Sequence, residues 1–206
     1  MLRIGLTGGI ASGKSTVASM LRSHGCDVLE MDPIGHEFLE PGQAAYDDVA
    51  RGFGREILTS NGGIDRSKLG ALIFADPAKR QLLNAILHPR ILDVVRKWFA
   101  VLDRQGGPPF AVVEAALILE AGYQKELDRI IVCWCRPEQQ LQRIEGRGFS
   151  PEQAHARISA QMPMDEKRKL ADDVIDCSQS LRQTQQEVDA LVARLHQLAT
   201  VRGNIS

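Results

Sequence analysis

Gly8-Gly9-Ile10-Ala11-Ser12-Gly13-Lys14-Ser15-Thr16 has the spacing of a phosphate-binding loop: a glycine, four residues, then Gly-Lys-Ser/Thr. Each position has a physical task. Glycines let the backbone curl so that successive N–H groups point inward and form a nest for phosphate oxygens. A helix starting there adds its unpaired N–H groups and the positive end of its dipole. Lys14 supplies a cation for the β- and γ-phosphates, and the Ser15 hydroxyl can reach Mg²⁺. The flanks supply the context the pattern needs. Leu2 to Thr7 reads as a short buried strand, and Val17, Met20 and Leu21 recur at helical spacing after the loop. A glycine-rich turn that spells the pattern by chance lacks these flanks. The loop implies a nucleoside triphosphate without naming the reaction.

Bulk properties bound the remaining choices. The 206 residues suffice for one good core with one or two small insertions. Hydrophobic content of 44% and charged content of 25% are ordinary for a globular protein. A net charge of −1 gives no general basic field, so neither nucleic acid nor an anionic membrane is expected as a partner. The apolar stretch before Gly8 is too short for a secretory signal, and no run reaches membrane-span length, so a cytosolic location is expected. Cys133 and Cys135 alternate with Trp134 on a strand and share a face. With Cys26 and Cys177 they read as buried reduced thiols.

Further along, Val28 to Met31 reads as a second strand stopped by Pro33, with Asp32 at its carboxyl end. There Asp32 is either a helix cap or a functional carboxylate beside the loop. Residues 34–100 read as helices cut by Gly42, Gly52, Gly54, Gly62 and Gly63, with Ser67 and Asp76 as N-caps. Leu82, Leu83, Ile86 and Leu87 mark one core-facing helix. His88-Pro89 is expected to break it before a further helix carrying Ile91, Leu92, Val95, Trp98 and Phe99. This block is a natural place for a second-substrate pocket, or plain crossover packing. Gln105 to Pro109 forms a turn. Strands are expected over Phe110–Val113, Arg129–Cys135 and Asp172–Cys177, with a closing helix over Leu181–Leu198 and a frayed end from Val201. Trp98 and Trp134 read as core. Apolar strands separated by helices specify an α/β fold with a parallel five-stranded sheet covered on both faces.

A second informative stretch runs from Pro137 to Gln161. Arg143 and Arg147 are four residues apart and share a face on a continuous helix. Gly148-Phe149 makes a turn, Ser150 with Gln153 makes a capping box, and the next helix carries Arg157 and Gln161. Two helices with arginines on one face read either as a solvated charged surface or as a lid. A lid excludes water and brings cations to a transferring phosphoryl group.

With these segments in order, the chain resembles the dephospho-coenzyme A kinase family over nearly its whole length. The opening Leu6-Thr7-Gly8-Gly9-Ile10, Asp32, Glu40-Pro41-Gly42, Ile64-Asp65-Arg66 with Leu69 and Phe74, and Leu83-Asn84-Ala85-Ile86-Leu87-His88-Pro89 carry the likeness. So do Gln140-x-x-Arg143-x-x-x-Arg147, Arg157-Ile158 with Gln161, and Ala171 to Asp176. The chain departs from the pattern at Glu30-Met31, at Ala116-Leu117-Ile118-Leu119-Glu120 and at Cys177, where the family usually has Asp-Ala, Pro-Leu-Leu-x-Glu and Asn.

The resemblance implies a P-loop kinase fold with core segments 1–33, 108–136 and 168–200, a helical acceptor-binding insertion at about 34–100 and a lid at about 137–165. It implies phosphorylation of the ribose 3′-hydroxyl of dephospho-coenzyme A by ATP with Mg²⁺, the last step of coenzyme A biosynthesis. Ala11, Ser12, Gly13, Lys14, Ser15 and Thr16 then hold the nucleotide, with Ser15 on the metal, aided through water by Glu114 or another strand-end acid. Asp32 orients the hydroxyl and takes its proton. Arg143 and Arg147 close on the phosphates, with Arg136 and Arg157 as lesser candidates. Asp32, Asp65, Arg66, His88 and Glu120 contact the acceptor. His88 could instead cap its helix, and His36 could line the same pocket. The alternatives are another small-molecule or nucleotide kinase with this loop and lid, and a regulatory GTPase, whose guanine-reading Asn-Lys-x-Asp is missing. Oligomeric state is left open, with a monomer compatible.

Overall fold

The computed structural model describes residues 1–203, with only the backbone of the last two, Arg202 and Gly203. Two compact units divide the backbone: Met1–Glu30 with the chain from Trp98 onward, and Met31–Lys97.

The first unit is built on a parallel five-stranded sheet in the order β2-β3-β1-β4-β5. Its strands are β1 (Leu2–Thr7), β2 (Asp27–Glu30), β3 (Phe110–Glu114), β4 (Arg129–Trp134) and β5 (Asp173–Asp176). Leu6 is in register with Glu114 on one side and with Ile131 on the other, so β1 is central. Helices α1 (Lys14–Ser23) and α9 (Leu181–Gly203) cover one face. Val17, Ala18 and Leu21 of α1 pack with Val188, Leu191, Val192 and Leu195 of α9 against Ile4, Leu6, Ile131 and Ile175. Cys133 and Cys135 fall on that buried face together. All four cysteines are free thiols. Trp98 and Trp134, expected in the core, are only half-buried. Arg168 lies over the Trp134 ring, 5.4 Å from its centre.

Helices α6 (Pro137–Glu145), α7 (Pro151–Ser159) and α8 (Met164–Lys169) also belong to this unit. Pro151 starts α7, and Ser150 and Gln153 exchange backbone-to-side-chain bonds as a capping box. The α9 helix continues through Val201 to Gly203, where fraying was expected; residues 204–206 lie outside the described residues.

The second unit holds α2 (Met31–Glu37), α3 (Tyr46–Phe53), α4 (Arg66–Ala75) and the first part of α5 (Pro77–Arg104). Leu39, Val49, Phe53, Ile57, Leu69 and Leu83 form its core. Several expectations are corrected here. The second strand stops at Glu30, and helix α2 already contains Met31, Asp32 and Pro33; proline fits a first turn, whose N–H groups have no intrahelical acceptor. Gly52 lies inside α3 and does not interrupt it. Ser67 is not the cap of α4. Asp65 is, accepting from the N–H groups of Ser67 at 3.0 Å and Lys68 at 3.1 Å. Asp76 does cap α5, accepting from Ala78 N–H at 2.8 Å.

His88-Pro89 does not break a helix: α5 is continuous across Pro89. Proline deprives the Ala85 carbonyl of its helical donor. That cost is offset because the apolar stripe stays buried on both sides, at Leu83 before it and at Ile91, Val95 and Phe99 after it. Leu82 is 40% exposed, so it is not one of the core positions.

Candidate active site

The loop between β1 and α1 owes its shape to backbone conformations that few residues accept. Gly13 has φ +109°, and a Cβ there would lie 2.9 Å from the Cys177 sulfur. Ala11 has φ +58°, a left-handed conformation that costs a non-glycine residue of order 1 kcal/mol and persists only where neighbours impose it. The loop also closes on itself, with Ser12 N–H donating to Gly9 O at 3.2 Å. The Ser12 hydroxyl is buried and has no hydrogen-bond partner. Behind it, the N–H groups of the first turn of α1 have no intrahelical acceptor. Open amides, a dipole and a buried hydroxyl are what an anionic phosphate fits.

Lys14 begins α1. Its ammonium donates to Gly9 O at 3.3 Å and stands 4.0 Å from the Glu114 carboxylate, with both side chains about nine-tenths buried. Glu114 ends β3 beside β1, so the sheet register delivers this carboxylate to the loop. Ser15 and Thr16 are exposed on the first turn of α1. Below the loop, Cys133 and Cys177 sit in the same buried cluster, and the Cys177 thiol points at Ile175 O, 3.8 Å away. Burial raises the Cys133 pKa.

The α6–α7 hairpin and the segment after it touch the loop closely. Arg143 donates to Ala11 O at 3.1 Å and to Cys177 O at 2.7 Å. Gln140 donates to Ile10 O at 2.6 Å, and Gln161 accepts from Ile10 N–H at 2.7 Å. Ile10 and Ala11 also pack with Leu141, Ile144, Phe149, Ala154 and Ile158. Arg147 differs from expectation. Helix α6 ends at Glu145 with Gly146 as its cap, so Arg147 lies in the exposed turn and shares no helical face with Arg143. Gln161 likewise lies beyond α7. Arg157 stacks on Phe149, 4.2 Å from the ring centre, and Arg136 is exposed.

Glu120, expected to contact the acceptor, is held within the first unit. Its carboxylate receives Lys167 Nζ at 2.8 Å and Met162 N–H at 2.9 Å. Lys167 is fully buried, and burial, aided by the charge of Lys14 and opposed by Glu120, lowers its pKa. Sequence gave little signal for it. Lys167 sits in the charged run Asp165 to Lys169, which reads as a solvated surface; only its helical spacing from buried Met164 marks it.

The remaining foreseen residues belong to the second unit. Asp32 is exposed in the first turn of α2, two residues after β2, and Glu30 is in register with Glu114. His36 is exposed at the end of that helix. Asp65 spends its carboxylate on the α4 cap, and Arg66 reaches Glu40 at 3.4 Å. His88 is half-buried, which lowers its pKa. The first unit therefore gathers Ala11 to Thr16, Glu114 and Arg143; Asp32, Asp65, Arg66 and His88 lie in the second. Among the described residues no cluster of three His, Cys, Asp or Glu could hold a metal ion by itself, and no helix is long and apolar enough to cross a membrane.

A parallel sheet with a phosphate loop after its central strand, backed by a buried lysine–carboxylate pair, is the architecture of the P-loop kinases. A crystal structure from Thermus thermophilus superposes with a TM-score of 0.80 at 33% identity, covering 94% of this chain and 97% of that one. The dephospho-CoA kinase of Campylobacter jejuni superposes with a TM-score of 0.68 at 28% identity, covering 95% and 97%. The chain belongs to the dephospho-CoA kinase family, whose sequence profile matches residues 2–183. A dephospho-CoA kinase of Carboxydothermus hydrogenoformans is 45% identical over 186 residues, 90% of each chain. One of Bacillus licheniformis is 43% identical over 205 residues, 99% of this chain and 98% of its own.

Proposed function

We propose that the protein transfers the γ-phosphoryl group of ATP to the ribose 3′-hydroxyl of dephospho-coenzyme A, giving coenzyme A and ADP. The observation that carries this reading is the loop itself: buried Lys14 set between Gly9 O and Glu114, at the open first turn of α1, in a chain of this family. The amides from Ala11 to Thr16 cradle the β-phosphate, and Lys14 moves from its resting partners onto the β- and γ-phosphates. Asp32 accepts the proton of the 3′-hydroxyl as its oxygen bonds to the γ-phosphorus and the bond to the β,γ-bridging oxygen breaks. Positioning and charge account for most of the acceleration, because the transition state is loose.

Mg²⁺ fits the residues present. It is ordinarily bound by one or two protein oxygens together with substrate phosphates, and exposed Ser15 supplies a hydroxyl without needing a protein cage. When bound, the ion neutralises charge developing on the phosphates. Arg143 and Arg147 serve as lid cations, and the helical unit carrying Asp65, Arg66 and His88 receives the acceptor. A cytosolic protein without nucleic-acid or anionic-membrane partners fits the near-neutral charge.

The test is ADP release with ATP and Mg²⁺, offering dephospho-coenzyme A, adenosine and nucleoside monophosphates as acceptors. Turnover confined to dephospho-coenzyme A, with a product of coenzyme A mass, is expected. Turnover only with a monophosphate would replace the substrate and keep the phosphate-loop chemistry.

A further inference from the structure

Gly9 is glycine although the phosphate-loop spacing does not require one there. Its surroundings give the reason. A Cβ at Gly9 would lie 2.5 Å from Gln140 Nε2 and 2.9 Å from Met164 Sδ. Side chains from the hairpin region therefore close directly onto the loop backbone. Gly9 N–H points at Met164 Sδ, 3.0 Å away. At the next residue both backbone groups are taken: Ile10 N–H by Gln161 and Ile10 O by Gln140. The amide orientations follow from chemistry, because a backbone N–H can only donate and a carbonyl can only accept. The two glutamines come from opposite feet of the α6–α7 hairpin, one on α6 and one just past α7. The second foot is anchored in turn, since Glu120 holds Met162 N–H and Lys167.

We propose that Gln140 and Gln161 are positioning residues that set the first turn of the phosphate loop by gripping the Ile10 peptide groups from both sides, so that ATP binding and the hairpin are coupled through Ile10. The grip leaves the amides from Gly13 onward to the phosphates and holds the loop in place before ATP arrives. This rests on the kinase reading above only in taking ATP as the ligand.

The experiment measures ATP affinity by calorimetry without acceptor, alongside KM, kcat and Tm. Gln140→Ala and Gln161→Ala are each expected to weaken ATP binding about tenfold, the effect of one lost hydrogen bond of ordinary strength. The acceptor KM should change little, and Tm should fall by only the few degrees that one lost hydrogen bond costs a chain of this size. The double variant should be little worse than either single one, because both act through one residue. Gln161→Glu, which keeps the accepting oxygen, should recover part of the loss; Gln140→Glu, which has no donor, should not. Unchanged ATP affinity in both alanine variants, or fully additive losses, would overturn the proposal. A wild-type chain that binds ATP without phosphorylating dephospho-coenzyme A would overturn the acceptor assignment alone, since this test is read from ATP binding. A wild-type chain that binds no ATP would overturn both.

Discussion

Lys167 Nζ lies 2.8 Å from Glu120 Oε1, with no part of the lysine side chain exposed and 22% of the glutamate exposed. The ammonium also donates to Ala116 O at 2.6 Å, a carbonyl that the Thr7 hydroxyl shares at 3.2 Å. The pair thus joins α8 to the loop after β3 and to the end of β1.

Removing one member of such a pair strands the other. Glu120→Ala is expected to cost about 2–4 kcal/mol, the lower part of the range reflecting the partial exposure of Glu120. Combining it with Lys167→Met should recover much of that loss, because no buried charge then remains. Urea unfolding of the two single variants and the double variant measures this. A cost for Glu120→Ala below about 0.5 kcal/mol, the scale of a surface change, would make the pair incidental.

Arg143 and Arg147 should behave differently despite their similar place in the sequence. Arg143 bonds Ala11 O, the carbonyl of the one non-glycine residue with positive φ among the described residues, and Cys177 O. Arg143→Ala is expected to lower kcat/KM about a hundredfold or more and to lower Tm, because the strained loop loses a support and the phosphates lose a cation. Arg147 is exposed in the turn after α6. Arg147→Ala should leave Tm within about 1 °C and reduce turnover only as far as hairpin closure carries the arginine to the phosphates. Equal Tm losses in the two variants would contradict the separate positions.

The phosphate loop and the sheet were legible because local pattern decides them. A phosphate loop needs residues close in sequence, and buried parallel strands read as apolar runs. The helix through Pro89 was not legible. Whether a proline ends a helix depends on what the two halves bury, and for the half before Pro89 that burial is set by Val49, Phe53 and other residues distant in sequence. Lys167 was hidden for the same reason: its partner is in another segment, and within the charged run only its spacing from Met164 marks it as inward. Arg147 was misplaced by spacing alone, since four residues imply a shared face only while the helix lasts, and Gly146 ends it.

The catalytic assignments separate into binding and chemistry. Lys14→Ala should lose about 3 kcal/mol or more of transition-state stabilisation, a hundredfold or greater in rate, with weakened ATP binding. Asp32→Asn should lower kcat while leaving ATP affinity within about twofold, because the amide keeps the shape and loses the proton acceptor. Calorimetry with ATP beside steady-state kinetics distinguishes the two. A collapse of ATP affinity in Asp32→Asn would make Asp32 a structural or metal-binding residue.

His88 gives a stability signature that can be read without substrate. Burial lowers its pKa below the ordinary value of 6.5. As pH falls below 6.5 the unfolded chain takes up a proton that the folded chain still refuses. The unfolded state therefore binds more protons, and stability falls with falling pH until the folded histidine also protonates. Above 6.5 the imidazole is neutral in both states and contributes nothing to the slope. Gln has a helix propensity as good as that of His and does not titrate, so His88→Gln should keep α5 intact and remove this component. Unfolding free energies at pH 8 and pH 5 measure it. The wild type should lose more stability than His88→Gln on acidification, while the other titrating groups cancel in the comparison. A variant that loses as much as the wild type would place the imidazole in solvent in the folded protein.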